Sequence, residues 1–143
     1  MIYRCEFFAP YELVGPDIFH MVPADRIWWL FDPKVLWTAD MLRKRFGPST
    51  INTWRWGGHY KESGLRSFST KTGAKWSQHK FGRAIDQKFK HATAEEVRRD
   101  MLANPDREAY RHITCLETGV SWVHWDVRNW DKMAAGGYLL VKP

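Results

Sequence analysis

The apolar positions of this chain repeat with two periods, and each change of period marks an element. Residues 1–31 are aromatic-rich and broken by Pro10, Gly15, Pro16 and Pro23, which predicts loops and short turns. From Pro33 the spacing turns helical, with Leu36, Ala39, Leu42 and Phe46 in one apolar stripe. Asp32 suits the N-cap, Pro33 the first helical position, and Gly47 stands just past the end. Arg43, Lys44 and Arg45 complement the negative end of that helix's dipole. Residues 51–56 alternate like a strand that Gly57 and Gly58 terminate, and residues 60–78 read as an extended loop. Residues 84–86 read as a short strand. Thr93 and Glu96 have capping-box spacing at the start of a second helix, which buries Val97 and Met101 with Leu102 beside them and stops before Pro105. Residues 113–117 and 122–127 form a predicted hairpin, and residues 138–141 a final strand.

Helices and short strands in mixed order predict an α+β fold: a small antiparallel sheet with flanking helices. No repeat or linker divides the 143 residues, so one domain is expected over 1–143, with residues 1–48 as an N-terminal extension packed on it. A hydrophobic fraction of 44% excludes a disordered chain. Nine tryptophans exceed what a core of this size needs, so some are expected to line a groove. Cys5 and Cys115 lack CxxC spacing and read as small buried side chains, not a disulfide framework.

The first ten residues contain no apolar signal-peptide core, and no stretch approaches a membrane span. Synthesis in the cytoplasm without a signal peptide is the expectation, with a monomer as the default state. A net charge of +6 implies an anionic partner. Residues 71–90 hold six cations, Lys71, Lys75, Lys80, Arg83, Lys88 and Lys90, against the single acid Asp86. Nucleic acid is not the expected partner, because no nucleic-acid motif accompanies the charge.

The candidate chemistry lies in two segments. His79 and Asp86 stand seven positions apart, and His124 follows on a β-like stretch. Two imidazoles and one carboxylate suit Zn²⁺, and three protein ligands leave a position open, as catalytic zinc requires. In a strand, Trp122, His124 and Asp126 share one face. A hairpin centred on Gly119 and Val120 puts Glu117 across from Trp122 and diagonal to His124, where its carboxylate can serve as a general base.

The stretch Ser77-Gln78-His79-Lys80-Phe81-Gly82-Arg83-Ala84-Ile85-Asp86 resembles the SxHxxGxAxD signature of the D-Ala-D-Ala carboxypeptidase family of zinc metallopeptidases, with every fixed position filled. That family includes the L-alanyl-D-glutamate endopeptidases and cuts peptidoglycan stem peptides. Residues 122–127 resemble its second signature, and Ser63-Gly64-Leu65-Arg66 resembles the segment that delivers an arginine into the site. The resemblance covers about residues 49–130. It implies a hedgehog/DD-peptidase-like zinc fold with His79, Asp86 and His124 as metal ligands. Arg66 would hold a substrate carboxylate or polarise the scissile carbonyl, and Ser77 and Trp122 would contact substrate.

One departure matters. Many members place the catalytic acid three residues before the last zinc histidine, where Ser121 stands, and related folds use a histidine where Trp122 stands. The catalytic carboxylate is therefore expected at Glu117, with Asp126 as the second candidate; Asp126 can otherwise orient His124 or pair with Arg128. The implied activity is zinc-dependent hydrolysis of a peptidoglycan peptide, as in a phage lysin acting on the cell wall after holin-dependent release. The alternative from the same resemblance is a zinc-containing, non-catalytic cell-wall-binding or virion-associated module.

Overall fold

The computed structural model describes residues 2–143 and shows an α+β fold. Short helices, not loops alone, open the chain: α1 (Pro10–Leu13), α2 (Pro16–Met21) and α3 (Ala24–Ile27), followed by a 3-10 turn at Trp28–Leu30. Pro10 and Pro16 act here as starters. Each takes the first position of its helix, where the missing N–H has no partner to lose. The long helix α4 (Pro33–Phe46) begins as expected, with the Asp32 carboxylate accepting from Lys34 N at 2.9 Å, and Gly47 ends it at φ +86°. Val35, Leu36, Ala39 and Leu42 are buried along it.

Residues 51–56 do not form a strand. Pairing is confined to β1 (Ser49–Thr50), and a 3-10 turn occupies Trp54–Trp56. The backbone donors there go elsewhere: Asn52 N to Glu12 O, and Thr53 N and Trp54 N to Tyr60 O. The Trp54 indole donates to Val14 O at 2.8 Å, curling the segment toward α1. No helix or strand interrupts residues 57–77, matching the predicted loop. Leu65 N bonds Leu13 O and anchors its middle.

A 3-10 turn (Gln78–Phe81) leads into β2 (Ala84–Phe89), twice the expected length. Helix α5 (Ala94–Ala103) has the Thr93–Glu96 capping box and buries Val97, Arg98 and Met101, while Leu102 is exposed. Strands β3 (Cys115–Glu117), β4 (Val123–Asp126) and β5 (Leu139–Val141) complete a sheet ordered β1-β2-β4-β3-β5. The sheet is mixed, not antiparallel, because β5 runs parallel to β3. Residues 127–138 carry the chain back past β3, so the last strand enters from the end at which β3 begins.

The hairpin register also differs from expectation. Cys115 pairs with Asp126 and Leu116 with Trp125, so the next position sets Glu117 opposite His124 instead of Trp122. A two-residue shift keeps the same face, so Glu117 stays on the side of the sheet that carries His124. Beneath the opposite face lies a cluster of 21 buried apolar residues, ten of them from the first 48 positions. Val123 and Trp125 point into it from β4, and Ile85 from β2.

Candidate metal centre

Three elements converge on the polar face of the sheet. His79 comes from the 3-10 turn, whose start is capped by the Ser77 hydroxyl accepting from His79 N at 3.3 Å. The turn ends at Gly82 with φ +67°, a left-handed conformation that favours glycine. A Cβ there would lie 2.1 Å from Leu30 O, so both the backbone angle and the space explain glycine at this point of the motif. Asp86 and His124 are direct cross-strand partners on β2 and β4.

The three ligand atoms form a triangle with edges near 3 Å. His79 Nε2 lies 3.1 Å from Asp86 Oδ1 and 3.2 Å from His124 Nδ1, and His124 Nδ1 lies 2.9 Å from Asp86 Oδ1. Tetrahedral coordination at zinc distances separates neighbouring ligand atoms by about 3.3 Å, so this triangle matches one face of such a site. All three residues are buried.

The outer hydrogen bonds set the tautomers. His79 Nδ1 lies 2.8 Å from Gly64 O, which can only accept, so Nδ1 carries the proton and Nε2 presents a lone pair inward. His124 Nε2 donates to Asp126 Oδ2 at 2.9 Å, leaving Nδ1 to face inward. Imidazoles that ligate metals are held this way by carbonyls and carboxylates. Asp126 is in turn gripped by Arg128, with Nε at 2.8 Å and Nη2 at 2.7 Å. Its side chain is 0% exposed and both oxygens are taken, which leaves no lone pair directed at a substrate.

Two inward lone pairs and a carboxylate within 3.2 Å of one another demand a positive charge between them. Burial holds His79 below the ordinary imidazole range despite the Asp86 carboxylate beside it. Burial also opposes charge on His124, but the Asp126 and Asp86 carboxylates outweigh it and raise that group to about 9. Asp86 is held well below the usual carboxylate range: burial works against ionisation, and the adjoining His124 and His79 imidazoles overcome it. The cluster thus favours one bound cation or proton, not two.

A cleft of about 640 Å³ opens over the triangle and is lined by Arg66, Trp76, Trp122 and Glu117 as well. Glu117 Oε2 stands 3.8 Å from His124 Nδ1. Arg66 lies at 3.3 Å from Asp86 Oδ2 through Nη2, and its Nε donates to Glu62 O at 2.6 Å. Ser77 lines the cleft while its hydroxyl caps the His79 turn, which gives it a structural task the sequence did not reveal. Of the nine tryptophans, Trp76 and Trp122 border the cleft, whereas Trp125 is fully buried in the core. Cys115 is buried, which pushes its thiol up to about 12.

Two contributors escaped sequence reasoning. The Gly64 carbonyl orients His79, and nothing in the chain marks it except a glycine where a Cβ would meet Leu13 O at 2.0 Å. Lys88 lines a smaller hollow of about 240 Å³ that shares Arg66, Asp86 and Trp122 with the cleft. Its position two residues after Asp86 on β2 was the available signal. Compared with protein-family models, curated proteins and solved structures, the chain matches none.

Proposed function

We propose that the chain is a zinc-dependent peptidase that hydrolyses a peptide bond in bacterial peptidoglycan stem peptides, on a hedgehog/DD-peptidase-like scaffold. The observation that carries this reading is the buried triangle of His79 Nε2, Asp86 Oδ1 and His124 Nδ1, with each imidazole N–H committed outward. The donor set fits Zn²⁺ and spares one coordination position for chemistry. Held there, Zn²⁺ supplies Lewis acidity and makes water acidic enough to lose a proton near neutral pH.

The chain's own residues divide the remaining work. Glu117, opposite His124 and facing the cleft, accepts the proton of the attacking water and returns it to the leaving amine. Arg66 borders the cleft with its guanidinium, a fork suited to a substrate carboxylate or the scissile carbonyl oxygen. Asp126, braced by Arg128, holds His124 in its ligating tautomer and is not the base in this reading. Trp76 and Trp122 wall the cleft against water and give a peptide apolar surface.

Purified sacculi incubated with the protein, with and without a chelator, test this reading by mass spectrometry of the soluble fraction. Chelator-sensitive release is expected, and the masses name the bond: free D-Ala for a carboxypeptidase, freed stem peptides for an L-alanyl-D-glutamate endopeptidase. Glu117→Gln is expected to slow release by roughly 10²–10⁴-fold while leaving metal binding intact. Wall binding with no fragments would instead favour the non-catalytic module.

A further inference from the structure

A second polar hollow, of about 380 Å³, lies between the start of α4, the residues leading into β2 and the segments flanking β3 and β4. Four cations line it, Lys34, Arg83, Arg111 and Arg128, against one acid, Asp32. Asp32 is already committed to capping α4 through Lys34 N. Among the described residues, neither Lys34 nor Arg83 pairs with a carboxylate. The Nε–H of Arg83 is shielded from solvent and has no acceptor, an arrangement that costs stability unless a ligand supplies one.

Two further features disfavour a purely structural reading. Lys34 stands in the first turn of α4, where the helix dipole repels a cation, and no acidic residue shares that turn. Arg111 is stacked over Trp37 at 4.4 Å and its one carboxylate partner, Glu108, is itself exposed, so its charge is held in place without being neutralised in a buried pair. Positive charge is thus concentrated where local rules of stability would disperse it.

We propose that this hollow is a binding site for a phosphate-type oxyanion, with Arg83 and Lys34 as its principal donors and Arg111 and Arg128 completing it. Guanidinium forks match tetrahedral oxyanions, and a helix start adds favourable dipole. The small volume of about 380 Å³ suits a single phosphate group with its substituent, not a long duplex backbone, which needs an extended basic surface. Arg128 lines both this hollow and the metal cleft, using Nε and Nη2 on Asp126. An anion bound here therefore sits next to the residue that braces His124. The site stands on its own residues and does not depend on the peptidase reading.

Titration calorimetry of the full chain with inorganic phosphate at low ionic strength tests the proposal. One site is expected, weakened at least tenfold by Arg83→Ala and several-fold by Lys34→Ala, and unchanged by His79→Ala or by chelator. Lys34 is exposed, so its variant keeps the test valid if Arg83→Ala fails to fold. A parallel titration with a glycerol-phosphate polymer distinguishes sources: tighter binding than phosphate identifies a phosphodiester, and equal or weaker binding identifies the free anion. The proposal is overturned if phosphate does not bind, if both variants bind as tightly as wild type, or if binding disappears with His79→Ala.

Discussion

Asp126 illustrates how one side chain is given its task by its surroundings. It shares a strand face with His124, which made it a candidate base, yet burial and the Arg128 fork turn it into a brace. Asp126→Asn should weaken metal binding roughly 10–100-fold, the usual cost of losing an outer partner of a ligating histidine, as measured by competition with a chromogenic chelator. It should also destabilise the fold by about 2 kcal/mol at neutral pH, less than for a fully enclosed pair because Arg128 reaches solvent. Burial alone would raise the Asp126 carboxyl, but Arg128 and His124 outweigh it and hold it below its ordinary value. Its stabilisation is therefore present above about pH 4 and lost as pH falls through the depressed folded value. Denaturant melts of wild type and variant should accordingly differ at pH 7 and converge in acid.

At the scale of elements, what the chain made legible was whatever depends on local chemistry. Caps at Asp32 and Thr93, the stop at Gly47 and the face shared by His124 and Asp126 all follow from neighbouring residues, and all appear in the fold, whereas Trp122 falls just outside β4. The misread parts depend on distant partners. Residues 51–56 alternate like a strand, but their donors are claimed by Glu12 and Tyr60. The parallel pairing of β5 with β3 is a matter of where the chain returns, which no local pattern records. The grouping of His79, Asp86 and His124 was legible because its spacing is tied to the turn-and-strand geometry; the Gly64 carbonyl was not, since backbone atoms leave no residue signature. Gly82 is the joint of that geometry. Gly82→Ala forces a Cβ against Leu30 O in a left-handed conformation and should cost more than ~2 kcal/mol by urea unfolding. Because it separates His79 from Asp86, metal affinity should fall with it.

For the whole molecule, the candidate metal centre links stability to pH. The folded state raises His124 from 6.5 to about 9, against burial, through the Asp126 and Asp86 carboxylates. In metal-free protein that contribution is complete below pH 6.5 and is lost as pH rises through about 9. A bound metal replaces the proton, so the melting-temperature gain on adding Zn²⁺ should grow with pH across this window. Each tenfold excess of metal over its dissociation constant adds about 1.4 kcal/mol. A gain independent of pH would mean that the metal sits away from His124. Whether His79, Asp86 and His124 together hold one zinc ion is read from zinc-edge X-ray absorption on the zinc-loaded protein. The expected spectrum has one zinc per chain with two imidazole nitrogens and a carboxylate oxygen at about 2.0–2.1 Å, and it disappears in a folded His79→Ala variant. Failure to retain stoichiometric zinc, or an unchanged spectrum in that variant, would rule out this ligand set.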